Sequence, residues 1–178
     1  MSKRILFFLL SVCVVSTKLS AQKFPTLRYE DKTYETTIKT VAVYPSPNQL
    51  QDPARTTYPP VISLSAETPL FAEFDDLTAR FRTFRYKIFH CNADWTPSTL
   101  SEIEFTFEYN DYPINNYQAS FNTKVPYYHY TLEIPKLKLS GNYLLVVYED
   151  SRPAKLILTR RFMIYQPRVS IFPQVRLS

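Results

Sequence analysis

FRYKIF at residues 84–89 and EIEFTFEY at residues 102–109 carry the pattern that decides the fold class. In the first, Phe84, Tyr86 and Ile88 alternate with Arg85, Lys87 and Phe89. In the second, Ile103, Phe105, Phe107 and Tyr109 alternate with Glu102, Glu104, Thr106 and Glu108. Successive side chains of a strand point to opposite faces, so a two-residue period predicts two half-buried strands. Pairing them across residues 92–101 with Ile88 near Phe105, Tyr86 near Phe107 and Arg85 near Glu108 makes one face apolar and matches opposite charges on the other. Exposed ion pairs of that kind contribute about 0–1 kcal/mol each, so they select register without holding the fold together.

The same reading extends outward in both directions. Upstream, the β-branched Ile38, Val41 and Val43 predict a strand over 38–44, stopped by Pro45-Ser46-Pro47-Asn48. Prolines 45, 47, 53, 59 and 60 predict a surface loop, followed by short strands over 61–64 and 70–74 and a turn at Asp75-Asp76. Downstream, 127–134 alternates, 143–148 is a continuous apolar run, and 155–165 is a last long strand interrupted by Arg160-Arg161. No stretch keeps a helical period over a useful length. About seven to nine short strands with Pro and Asn punctuation predict an all-β chain folded as an antiparallel β-sandwich. SGNYLLVVY at 140–148 adds a turn glycine before a tyrosine at the mouth of an apolar strand, which resembles the tyrosine corner of immunoglobulin and fibronectin type III domains. Leu145 stands where an antibody domain places its second cysteine. An ordinary turn before an antiparallel strand accounts for the same residues.

With 178 residues, 45% hydrophobic and 21% charged, the chain has the composition of one ordinary globular domain rather than a disordered segment. Residues 1–21 have a basic start (Lys3, Arg4), an apolar run over 5–15 and a small residue, Ala21, at a cleavage position, which reads as a secretory signal peptide. The run is well short of the roughly 20 residues that span a bilayer. Cys13 raises lipidation, against which Val12 is bulkier than such cleavage prefers. Removal of Lys3, Arg4 and Lys18 reduces the formal charge from +5 to +2, too little to predict nucleic-acid binding. The mature chain then keeps only Cys91, so no internal disulfide is expected, and no later apolar run is long enough to cross a membrane. The organisation expected is a signal peptide over 1–21, an extended entry segment over 22–37, the sandwich over 38–165, and over 166–178 a linker or the start of a further domain. The chain reads as the amino-terminal part of something longer.

Chemistry is sparse. One glycine, Gly141, beside 14 prolines excludes Walker loops and dinucleotide fingerprints. His90-Cys91-Asn92-Ala93-Asp94-Trp95 gathers the mature cysteine and a histidine, but neighbours on a strand face opposite ways, so His90 and Cys91 cannot act as base and nucleophile together. One cysteine and two distant histidines fall short of the roughly four ligands of a structural zinc. Asp75, Asp76, Glu102, Glu104 and Glu108 are explained as turn acids and a solvated strand face, and the basic stripe Arg80, Arg82, Arg85 and Lys87 is partly neutralised by the glutamates. No catalytic, cofactor or metal site is expected, and no enzyme. Residues 109–130 differ: only Asp111 and Lys124 carry charge among many tyrosines and asparagines, the composition of contact surfaces. Tyr112, Asn115, Asn116, Tyr117, Tyr127 and Tyr128 are the contact candidates. Protein contact, an exported carbohydrate-binding platform, and plain capping of a sandwich edge remain open on these residues.

Read together, Phe74-Asp75-Asp76-Leu77, Tyr86 through Trp95 with Pro97-Ser98, Ser120-Phe121-Asn122-Thr123, Tyr127-Tyr128-His129-Tyr130, and Leu139 through Leu145 resemble, in order and spacing from about Lys39 to Phe162, the amino-terminal region of the type IX secretion system plug protein family. The resemblance implies an exported protein of sandwich domains without catalytic residues. It also implies a periplasmic location peripheral to the outer membrane, and a partner, the giant outer-membrane translocon barrel, whose pore it closes. It transfers no defined contact residues.

Overall fold

The computed structural model describes residues 24, 27–45, 57–151 and 154–169. The expected signal peptide, Cys13, much of the proline-rich loop and most of 166–178 lie outside those residues. In chain order the elements are β1 (Lys32–Thr33), β2 (Ile38–Pro45), β3 (Val61–Ser63), β4 (Leu70–Asp76), β5 (Phe84–Cys91), a helical turn α1 (Glu102–Phe105), β6 (Tyr112–Pro113), β7 (Asn116–Ala119), β8 (Tyr128–Glu133), β9 (Gly141–Glu149) and β10 (Lys155–Tyr165).

These strands form two sheets. One runs β1-β10-β9-β5-β6, with β3 joining β10 further along the edge that β1 occupies; the other runs β2-β4-β8-β7. Every pairing is antiparallel except β3 with β10. The chain is thus an all-β sandwich. Alternate residues of the two sheets meet in one core that includes Phe74, Phe84, Ile88, Tyr130, Leu145 and Phe162. Tyr86 ties the layers by donating its hydroxyl to the Glu133 carbonyl of the facing sheet at 2.7 Å.

The uninterrupted apolar run in β9 has a physical reason. Tyr143, Leu145 and Val147 face the inter-sheet core, whereas Leu144, Val146 and Tyr148 face a second cluster on the opposite side of the sheet, with Phe24, Cys91 and Leu156. Leu27, Tyr29 and Tyr34 pack against that second cluster. The entry segment is therefore a cover for one sheet, and a strand buried on both faces loses the alternation of a half-solvated one. At the start of β9 the Tyr143 hydroxyl donates to the Leu139 carbonyl at 2.7 Å, closing the turn through Gly141.

One expected pairing does not form. β5 pairs with β9, setting Ile88 opposite Leu145 and Tyr86 opposite Val147, and its other edge takes β6 and a single bridge from Cys91 to Pro97. Residues 102–105 are a helical turn opened by a capping box: Ser101 donates through its backbone N–H (2.6 Å) and its hydroxyl (2.7 Å) to Glu104 Oε2. The Asn110 side chain occupies the place of a strand beyond β6, accepting from the Ile88 N–H at 2.9 Å and donating to the Ile88 carbonyl at 2.7 Å. Ile103, Phe107 and Tyr109 consequently face solvent, and only Phe105 of that apolar set is buried. Arg85 pairs with Asp111 at 2.7 Å instead of Glu108.

Candidate functional site

The six contact candidates are divided between the two sheets and the segment that joins them. The chain passes from one sheet to the other between β6 and β7, so Tyr112 belongs to a different sheet from Asn116, Tyr117 and Tyr128. Its half-buried ring stacks on Tyr86 with centroids 5.0 Å apart, and burial, then the nearby Glu108 and Glu102, raises its pKa. Asn115 and Asn116 are exposed, the latter beginning β7. Tyr127 is half-buried at the head of the β7–β8 hairpin, where its N–H donates to the Ser120 hydroxyl at 2.9 Å.

Tyr117 and Tyr128 do converge, around a residue that sequence reasoning passed over. Phe81 lies 4.7 Å from Tyr117 and 6.1 Å from Tyr128, centroid to centroid, and Tyr117 is 6.0 Å from Tyr130. From Tyr130 the row continues inward to Phe74 at 5.1 Å and Phe84 at 4.8 Å. A line of aromatic rings thus runs from the core to the rim, where Phe81 is 50% and Tyr117 44% exposed. Phe81 sits between Arg80 and Arg82 outside any alternating run, and no signal in the sequence distinguishes it.

What holds Phe81 out is its neighbour. Arg82 is buried and makes ion pairs with Glu35 and Glu149 at 2.8 Å and with Asp76 at 3.3 Å. Hydrogen bonds to Glu149 lead the causes that push its pKa still higher. The Tyr130 hydroxyl accepts from the Arg82 N–H at 3.2 Å and donates to the Arg82 carbonyl at 2.9 Å. With Arg82 fixed on both side chain and backbone, the adjacent ring is presented on a rigid support, which lowers the entropic cost of using it in a contact.

The remaining candidates have structural surroundings. Of the basic stripe, Arg82 and Arg85 are carboxylate-paired as described, and Lys87 lies 3.6 Å from Glu102. Asp76 also accepts from Thr78, and Asp75 lies 2.7 Å from His129 Nδ1. Burial, only partly offset by Arg161, pushes the Cys91 thiol up to about 11, far from the thiolate a nucleophile needs. His90 points to the opposite face, between Phe105 and Tyr143, and burial lowers its pKa. The turn after it is closed by Asn142 donating to the Asn92 and Ala93 carbonyls, with Trp95 at φ 67° under the Arg161 guanidinium. Among the described residues no group of three or more His, Cys, Asp or Glu is placed to hold a metal ion, and no helix is long and apolar enough to cross a membrane.

Comparisons with known proteins agree with this architecture. The family described as the type 9 secretion system plug protein first domain matches residues 22–166. A solved structure of a hypothetical protein from Parabacteroides merdae superposes with a TM-score of 0.70 at 30% identity, over 79% of this chain and 35% of that one. The chain thus spans about a third of that relative's length. No curated protein matches. The match over 22–166 includes the covering segment as well as both sheets, and the chain belongs to the type 9 secretion system plug protein first-domain family.

Proposed function

We propose that this domain works in the periplasm, exported by the signal at residues 1–21, as a non-catalytic binding unit that contacts the outer-membrane translocon barrel of the type IX secretion system and contributes to closing its pore. Membership of the plug family over residues 22–166 is the observation that carries the reading. The rim of Phe81, Tyr117 and Tyr128 supports it, because partly exposed aromatic rings on a fixed backbone are the usual anchors of protein contacts. The rings of Phe81 and Tyr117 meet at 43°, so they offer a sugar no flat platform, and protein contact is preferred to carbohydrate binding.

Affinity capture tests the reading. The tagged chain, produced in a cell that carries the secretion system and recovered from envelope extract, should bring down the translocon barrel. Recovery of the chain without that barrel would refute it.

A further inference from the structure

The edges of the two sheets are not alike. β1 and β3 are 2 and 3 residues long, with Lys32 in the first and Pro59-Pro60 ahead of the second. β6 is 2 residues long and contains Pro113. β2 carries the exposed Lys39, a register shift between Lys39 and Ala42 with Thr40 at φ 51°, and Pro45 at its end. Short strands, lysines, prolines and bulges keep a sheet edge from pairing with another chain. β7 has no charge, proline or bulge, and all four of its residues are exposed.

The hairpin shows which backbone groups β7 leaves open. The Ser120 N–H donates to the Tyr127 carbonyl at 2.8 Å, and bonded and non-bonded pairs alternate along an antiparallel ladder. Gln118 and Asn116, opposite His129 and Thr131, therefore take the bonded positions. The N–H and C=O of Tyr117 and Ala119 point to the free edge. On the inner side of that edge stand the Phe81 and Tyr117 rings; on the outer side, the amides of Asn116 and Gln118.

We propose that β7 is a docking strand, which takes an extended segment of the partner polypeptide as a fifth strand of its four-stranded sheet. Residues of the added strand alternate between aromatic or aliphatic side chains against Phe81 and Tyr117 and polar side chains beside Asn116 and Gln118. Main-chain bonds supply the affinity and the aromatic rim selects the sequence. A charged segment is disfavoured, since β7 offers no opposite charge. The inference rests on the translocon-binding reading and specifies how that contact is made.

Ala119→Pro removes an outward N–H and leaves the bonds to β8 in place, a substitution that edge strands tolerate. With the full chain and the translocon barrel as probe, it should weaken capture by at least about tenfold at an unchanged melting temperature. In the wild-type complex, the Tyr117 and Ala119 amides should exchange hydrogen at least about tenfold more slowly than in the free chain. Equal capture by A119P, or unchanged exchange at those two amides in the complex, overturns strand addition and leaves the translocon reading standing. Failure of the wild-type chain to capture the barrel overturns both. A concentration-dependent dimer that A119P abolishes would assign the edge to a second copy of this chain and likewise overturn the proposal.

Discussion

At the scale of single residues, Arg82 and Gly141 have the clearest consequences. Removing one partner of a buried ion pair leaves the others uncompensated, so Arg82→Ala, which strands Glu35, Asp76 and Glu149, should cost on the order of 3–5 kcal/mol in a urea melt. The same cluster sets a pH dependence. The Arg82 hydrogen bond, outweighing burial, holds Glu149 below the ordinary carboxylate value of 4.5. A depressed folded-state pKa contributes stability that is present above the unfolded value and lost as pH falls through the folded one. Urea midpoints should therefore fall on acidification below 4.5, and less steeply in Glu149→Gln, which starts from a lower midpoint at neutral pH. Gly141 accommodates a ring: a Cβ built there stands 2.7 Å from His90 Nε2. Phe105 and Tyr143 flank that ring and bar its retreat, so Gly141→Ala should destabilise by about 1–3 kcal/mol, read in the same melts.

At the scale of elements, β9 tests the covering role of the entry segment. Leu144 and Leu145 face opposite sides of the sheet and both are fully buried. Leu144→Ala should then cost about 2–5 kcal/mol, as much as Leu145→Ala; a nearly neutral Leu144→Ala in thermal and urea unfolding would contradict a covered outer face. Elements also mark where the sequence was readable. β2, β5 and β8 lie where β-branched content or alternation placed them, because a strand with unlike faces writes its own period into the chain. Residues 102–109 have the same period and are no strand, since Ser101 and Glu104 form a capping box that the alternation obscured and Asn110 takes the position a strand would fill. The partner of β5 is more than 50 residues away in sequence, and nothing local in either strand names the other. Phe81 and Tyr117 converge for the same non-local reason. The composition of 109–130 pointed to Tyr117 and Tyr128, but only the fold separates them from Tyr112 and adds Phe81.

At the scale of the whole molecule, the core rings of the sandwich extend to one rim, beside its one unblunted edge among the described residues. The central claim is that the domain binds the translocon barrel through this rim. Biolayer interferometry with purified barrel, comparing the wild-type chain with Phe81→Ala/Tyr117→Ala, tests it most directly. Both rings are about half exposed, so the double variant should keep its fold, confirmed by an unchanged circular dichroism spectrum. Saturable wild-type binding, weakened at least about tenfold in the variant, is the predicted result, as expected for loss of two interface anchors. Equal binding by the two proteins, or no binding by the wild type, would contradict the account.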